Sequence, residues 1–290
     1  VDIDILYSEY KPLLFSIGYH MLGSVEDSED LVQDTFVAIH QLSKTSNEEP
    51  NNIKAFLCKV MTNRCLDLLK SSRKKREVYV GPWLPEPILQ LKLEGTHEDP
   101  AEKVILDETI SYALLVLLEQ LTPVERAVFL LREVFEFDYK NIADILSKTE
   151  MNCRKIFSRM KEKIQANHQN TKPNIREDFL LAKRFIEAVG TGNLEVLISL
   201  LTDDIVLISD GGGKVKAALR PLSNKNHVIA FLIGVAKKEA DSAEVKLVMV
   251  NGQIGILVDG KDPTIICFER AGDCYKRIYL VRNPDKIRIK

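Results

Sequence analysis

The chain lacks a basic excess. Over 290 residues, 40 Lys and Arg stand against 42 Asp and Glu, a formal net charge of −2. Phosphate neutralisation supplies most of the affinity of a free-standing nucleic-acid binder, so this balance argues against a protein that holds a duplex unaided. Cysteine is sparse and scattered: Cys58, Cys65, Cys153, Cys267 and Cys274 form no C-x-x-C pair. Three of them, Cys58, Cys65 and Cys153, fall inside helical patterns and read as buried thiols of a reducing cytosol. The histidines (His20, His40, His97, His168, His227) are dispersed without zinc spacing. The start, VDIDILYSEY, is acidic where a signal peptide would be basic. The longest apolar run, His227 to Ala236, is too short to cross a bilayer. The expectation is a cytoplasmic protein of about two domains, with no metal, no cofactor and no membrane partner.

What is present is clearest from Leu121 to Ile164. The segment reads as a helix, a short helix, a tight turn and a longer basic helix, the grammar of a helix-turn-helix. In the last helix Cys153, Ile156, Phe157, Met160 and Ile164 follow the i, i+3, i+4, i+7 spacing of a buried stripe. The opposite side carries Asn152, Lys155, Ser158 and Arg159, with Arg154 on its flank. Thr149 is placed to cap the first turn. The short helix spans about Tyr139 to Leu146, with Ile142, Ala143 and Leu146 inward, and Ser147-Lys148 makes the turn.

Residues up to about Arg76 read as all-helical. Ser24 caps a helix whose first turn carries Glu26 and Asp27, suited to the positive end of the macrodipole. That helix leaves an acidic face of Glu29, Gln33 and Asp34. After a polar loop, Lys44 to Asn52, a second long helix turns Leu57, Val60, Met61, Cys65 and Leu68 inward and sets Lys59, Asn63, Asp67 and Lys70 along the other side. It ends in Arg73-Lys74-Lys75-Arg76, a cluster suited to phosphates.

Two motifs in this order carry a resemblance. EDLVQDTFVAIHQL followed by IKAFLCKVMTNRCLDLLKSSRKKR is similar to region 2 of the sigma-70 family, in its extracytoplasmic-function group. LTPVERAVFLLREVFEFDYKNIADIL with NCRKIFSRMKEKI resembles region 4 of the same group. The resemblance implies an RNA polymerase sigma factor with core polymerase and promoter DNA as partners. Asp30, Gln33, Asp34 and Phe36 would lie on the helix that grips the polymerase clamp. Lys59, Asn63 and Asp67 would open the −10 element, where extruding a base costs a few kcal/mol. Asn152, Arg154, Lys155, Ser158 and Arg159 would divide base edges and phosphates of the −35 element. A polymerase partner also accounts for the missing basic excess.

The stretch from Glu77 to Asp99 holds Gly81, Pro82, Pro85 and Pro87 around the lone tryptophan, Trp83. Pro-rich segments are extended and stiff, so this is a spacer, and Trp83 needs a surface to rest on. After a polar stretch at Asn167 to Pro173, two amphipathic helices (Phe179 to Val189, Leu194 to Leu201) precede a segment alternating around Gly211-Gly212-Gly213, read as a hairpin turn. A helix from about Asn226 to Lys238 and four strands (Glu244–Val250, Ile254–Val258, Thr264–Phe268, Tyr275–Val281) complete an α+β layout. This order resembles the SnoaL-like cone. GPWLPEP, D-G-G-G-K and N-P-D-K resemble features of sigma factors that carry such an extension, with Ile287 where leucine is more usual. The resemblance implies that Trp83, Asp210, Gly211, Gly212, Gly213, Lys214, Asn283, Pro284 and Asp285 make interdomain contacts, and that the extension regulates in place of a separate anti-sigma protein.

The expected architecture is multidomain: two all-α sigma domains, the second a helix-turn-helix, plus a C-terminal α+β SnoaL-like cone. The boundaries are 1–76, a linker at 77–101, 102–168 and 175–290. Catalysis in the cone would use Asp204, Asp210, Asp259 or His227, yet no acid–base pair stands at a convincing spacing. Asp210 reads as a turn residue and His227 as a cap or core residue, so the chain is expected not to be an enzyme. Two alternatives remain: a small-molecule-binding or catalytic cone delivered to DNA by the helix-turn-helix, and a dimeric repressor.

Overall fold

A computed structural model describes residues 3–45, 52–90, 110–167, 174–239 and 243–288. Chain contacts divide them into two compact units: the described parts of Val1–Glu77, His97–Ile110 and Leu117–Asn167, and of Val78–Thr96, Ser111–Val116 and His168–Lys290.

The first unit is helical. Helices α1 (Ile3–Leu22), α2 (Val25–Thr45) and α3 (Ile53–Glu77) form its opening block. Ser24 Oγ accepts the Asp27 N–H at 3.3 Å, the expected cap. Leu57, Met61 and Cys65 of α3 are fully buried with Leu14 and Ile17 of α1 and Val32 of α2. The second block begins at Leu117, in the last turn of α4 (Tyr112–Leu118), whose residues up to Val116 belong to the second unit, and continues with α5 (Pro123–Phe129), α6 (Tyr139–Leu146) and α7 (Glu150–Asn167). Helix α5 opens with a reciprocal cap: Thr122 Oγ1 accepts the Glu125 N–H, and Glu125 accepts the Thr122 N–H. It widens into a π turn at Leu130–Val134, which the sequence pattern did not foresee. The blocks meet inside this unit. Arg126 of α5 is 3% exposed and donates to the Met21 carbonyl of α1 and to Glu119, each at 2.5 Å. The His20 ring lies 6.1 Å from Phe135.

The second unit is a seven-stranded sheet in the order β1-β4-β5-β6-β7-β2-β3, with helices α8 (Ile175–Thr191), α9 (Leu194–Leu200) and α10 (Lys225–Glu239). The strands are β1 (Leu89–Gln90), β2 (Leu201–Asp210), β3 (Leu222–Ser223), β4 (Glu244–Val250), β5 (Gln253–Asp259), β6 (Thr264–Ala271) and β7 (Cys274–Val281). Strands β4 to β7 form the antiparallel meander the pattern predicted, and β2 joins β7 in parallel.

Alternation splits the sheet's side chains between two faces. Leu207, Ile256, Ile266, Phe268, Tyr275, Ile278 and Leu280 pack with Phe185, Leu197 and Val228 of the helices. At the centre Phe268 stacks on Tyr275 at 4.1 Å, and Phe185 meets both edge-on at 5.4 and 5.6 Å. The other face, with Val248, Leu257, Ile265, Cys267, Tyr279 and Val281, is covered by Leu84 of the spacer and by Tyr112 and Ala113. The spacer thus contributes a strand: β1 pairs Leu89 with Val250 on the β4 edge.

Two expectations are corrected. Gly211–Gly213 is not the tip of a simple hairpin. The chain turns at Gly211, where Lys214 and Val215 donate to the Gly211 carbonyl, and runs on before pairing again only at Leu222–Ser223. Gly212 lies beside Asn283, where an added Cβ would clash with the side-chain amide. His227 is neither cap nor core: it is exposed on the first turn of α10, and Val228 and Ile229 take the buried positions.

Candidate nucleic-acid interface and the linker clamp

The helix-turn-helix is built as its spacing requires. Asp138 caps α6, its carboxylate accepting the Asn141 N–H at 2.7 Å. Ser147 ends α6 in the left-handed region, φ 52°, where glycine is the usual choice, and the Lys148 N–H closes on Ala143 O. Thr149 Oγ1 accepts the Asn152 N–H and starts α7. Cys153, Met160 and Ile164 are buried, and Asn152, Arg154, Lys155, Ser158 and Arg159 are exposed along one side.

Two of these cations are held in place. The Arg154 guanidinium lies 4.2 Å from the Tyr139 ring centroid, and Arg132 lies 5.0 Å from the same ring. Arg154 also faces Glu150 at 3.7 Å. Arg159 pairs with Glu125 at 3.2 Å. Burial works to raise the Glu125 pKa, but the Thr122 N–H and hydroxyl together with Arg159 outweigh it, and the carboxyl titrates below its usual range.

On α2, Asp30, Gln33 and Asp34 are exposed, with Asp34 facing Arg64 of α3 at 3.3 Å. Phe36 differs from its neighbours. It is 5% exposed and meets Tyr7 edge-on at 4.9 Å, because the helical period that exposes Gln33 and Asp34 turns position 36 inward. It supports that face from beneath. On α3, Lys59 and Asn63 are half-buried, and Asp67 is exposed and paired with Lys70 at 2.8 Å. Most of the polar loop Lys44 to Asn52, and the side chains of Arg73 to Arg76, lie outside the described residues.

In the second unit the structure brings the spacer and both glycine- and proline-containing motifs to one spot. Asp210, fully buried, accepts from Tyr79 Oη at 2.7 Å, the Leu84 N–H at 2.8 Å, the Gly212 N–H at 3.0 Å and Lys286 Nζ at 2.8 Å. The expected turn bond to Gly212 is present, but as one of four. Lys286 also donates to the Leu84 carbonyl at 2.6 Å, and its ammonium sits 4.2 Å from the Trp83 ring and 4.9 Å from the Tyr79 ring. Asn283 donates to Tyr79 Oη at 2.9 Å and caps the short turn Pro284–Lys286 by accepting the Asp285 N–H. Gly213, φ 73°, brings its backbone against Val80. Burial, then the Asp210 carboxylate, pushes the Tyr79 phenol above its ordinary range. The sequence reading named Trp83, Asp210 to Lys214 and Asn283 to Asp285. It missed Tyr79 and Lys286 as partners, although Lys286 closes the N-P-D-K motif it quoted.

Among the described residues no three His, Cys, Asp or Glu converge as a metal site, and no helix is long and apolar enough to cross a membrane. Of the titratable candidates in the C-terminal domain, Asp204 and His227 are exposed, and Asp259 faces Lys246 at 3.8 Å.

A three-helix block followed by a separate helix-turn-helix is the framework of a sigma-70-type transcription initiation factor. Residues 6–75 match sigma-70 region 2, and residues 111–164 match sigma-70 region 4. The ECF RNA polymerase sigma factor SigJ of Mycobacterium tuberculosis is 30% identical over 260 residues, covering 87% of this chain and 81% of that protein. The probable ECF RNA polymerase sigma factor SigI of the same species is 28% identical over 194 residues, covering 66% and 64%. The crystal structure of M. tuberculosis SigJ superimposes with a TM-score of 0.77 at 24% identity, over 98% of both chains, and so shares the fold. The chain belongs to the extracytoplasmic-function RNA polymerase sigma factors: it directs promoter recognition and transcription initiation, and carries a fused C-terminal sheet domain.

Proposed function

We propose that this factor grips core RNA polymerase through the exposed acidic face of α2, Asp30, Gln33 and Asp34, with Phe36 holding that face from within. Lys59, Asn63 and Asp67 of α3 act on the −10 element, and Asn152, Arg154, Lys155, Ser158 and Arg159 of α7 read the −35 element. The exposure of the α7 side chains in one row, opposite a buried stripe, carries this reading. The working parts are residues 1–76 for polymerase and −10 contact, 77–101 as linker, 102–168 as −35 reader and 175–290 as regulator. The site of action is the cytoplasm, where the polymerase is.

The C-terminal domain works as a regulator without catalysis, in place of a separate anti-sigma protein. Its helix-facing core is filled by Phe185, Phe268 and Tyr275, and the opposite sheet face is covered by the spacer through Leu84 and β1. The factor's own linker is therefore a structural part of the regulatory domain. A change there reaches both DNA-reading blocks through the chain that joins them, and a coupling of about 1–3 kcal/mol shifts activity roughly 5- to 150-fold.

Charge reversal on α2 and charge removal on α7 separate the two surfaces. Asp30→Lys with Asp34→Lys abolishes co-purification with core polymerase and leaves the helical content unchanged. Lys155→Ala with Arg159→Ala keeps polymerase binding but weakens promoter binding by the holoenzyme and flattens its salt dependence by about one to two contacts. Full polymerase binding by the α2 variant would overturn the assignment of that face.

A further inference from the structure

A cavity of about 560 Å³ opens at the end of the sheet, between the chain that follows Gly213, helix α10 and the β5–β6 turn. Phe185, Phe268 and Tyr275, which fill the aromatic interior of the domain, are not among its lining residues, and Phe231 stands between the two, in the cavity wall and packed against that interior. Its size is that of a small-molecule site.

The lining is predominantly cationic. Lys214, Lys216, Lys238, Lys261 and Arg282 border it, against Asp262 as the one carboxylate among the lining residues. Lys214 is partly neutralised by Asp285 at 2.6 Å. Arg282 is 6% exposed, and its guanidinium is fixed by donation to Thr264 Oγ1 at 3.1 Å and to the Lys216 carbonyl at 2.8 Å. A guanidinium already oriented in this way does not have to be ordered when a ligand arrives. Lys238 stands in the last turn of α10. The inner wall is apolar, from Phe231 and Val235 of α10 with Ala217 and Ala218 opposite. A solvated lysine face needs no concavity and no apolar wall.

We propose that this cavity binds a small amphipathic anion, a phosphate or carboxylate head on an apolar body, with the head among Lys216, Lys261 and Arg282 and the body against Phe231 and Val235. The cavity shares backbone with the linker clamp: the Arg282 and Asn283 N–H groups both donate to the Asp210 carbonyl, at 2.8 and 2.9 Å. Occupancy therefore loads the strand end that also holds the spacer. The binding proposal does not depend on how that clamp regulates transcription.

The test uses the full chain and isothermal titration at fixed ionic strength with hexyl phosphate, hexanoate, inorganic phosphate and hexanol. The expected result is saturable binding of hexyl phosphate or hexanoate, at least tenfold tighter than inorganic phosphate, with no heat from hexanol. Lys216→Ala with Lys261→Ala, both exposed positions, weakens that binding at least tenfold. Lys183→Ala with Arg184→Ala, exposed cations on α8, leaves it unchanged. Asp262→Asn tightens it. Absence of saturable binding by either amphipathic anion, or equal binding by the Lys216/Lys261 variant, overturns the proposal. So does displacement of the bound anion by a short DNA duplex in the full chain but not in the Lys216/Lys261 variant, which would make the lysines a nucleic-acid contact instead.

Discussion

His20 has no place for a second proton. It is 1% exposed on α1, its Nδ1 lies 3.4 Å from Ser16 Oγ, and its buried Nε2 has no hydrogen-bond partner among the described residues. Burial drives its pKa from the ordinary 6.5 down to about 3. The unfolded chain therefore binds this proton at a pH where the folded chain does not. The stability that depends on a neutral ring is complete above pH 6.5 and is lost as pH falls from there toward about 3. At pH 5 the loss is about 2 kcal/mol. The expected outcome is a melting temperature that drops between pH 7 and pH 5 in the native protein and drops less in His20→Phe, read by circular dichroism on the helical unit. Equal slopes in the two proteins would remove the role of His20. Asp210 teaches the same lesson at the opposite charge: a buried ion survives because Tyr79, Leu84, Gly212 and Lys286 all serve it.

At the scale of elements, α6 and α7 are joined by more than a turn. Tyr139, the first residue of α6, holds Arg154 of α7 on its ring face and meets Phe157 edge-on at 6.2 Å. Long basic side chains lose rotamer freedom when they settle on DNA, and a guanidinium already stacked loses less. Tyr139→Leu should weaken holoenzyme binding to a cognate promoter about two- to fivefold, the size of a cation–π contact at an exposed site. Tyr139→Phe keeps the ring and should keep the affinity. Filter binding at one salt concentration decides it, and equal loss in both variants would show that the hydroxyl, not the ring, matters. The other joint, Arg126 of α5 on the Met21 carbonyl, ties the second helical block to the end of α1 through a side chain that composition alone would assign to the surface.

For the molecule as a whole, the clamp around Lys286 decides whether the spacer belongs to the sheet domain. Removing one partner of a buried ion pair leaves the other charged and unpaired, which costs roughly 3–5 kcal/mol. Lys286→Met should lower the stability of the C-terminal unit by about that amount, and Asp210→Asn added to it should recover part of the loss. Urea unfolding followed through Trp83, the chain's single tryptophan, reads the cycle. Loss of the clamp should also change the rate of transcript initiation with core polymerase. Unchanged initiation in a clamp variant that remains folded would mean that the spacer's seat on the sheet has no regulatory consequence.

Much of the fold was legible in the residues. The 3.6-residue stripes placed α2, α3 and α7, the period-2 runs placed β4 to β7, and the caps at Ser24 and Thr149 were readable because they are local. The row on α7 followed from the same period. The period also put Phe36 inside, although resemblance had named it with its exposed neighbours. What the sequence could not decide was long-range: that β2 runs parallel beside β7, that the chain after Gly211 departs from a hairpin, and that the spacer lends β1 to the sheet edge. Lys286 and Tyr79 meet Asp210 across 76 and 131 residues. Such contacts are chosen by burial and charge pairing only once the sheet exists. Local pattern determined the elements and the family, and tertiary packing alone decided which buried charge answers which, because a desolvated ion must find its partner in space and not along the chain.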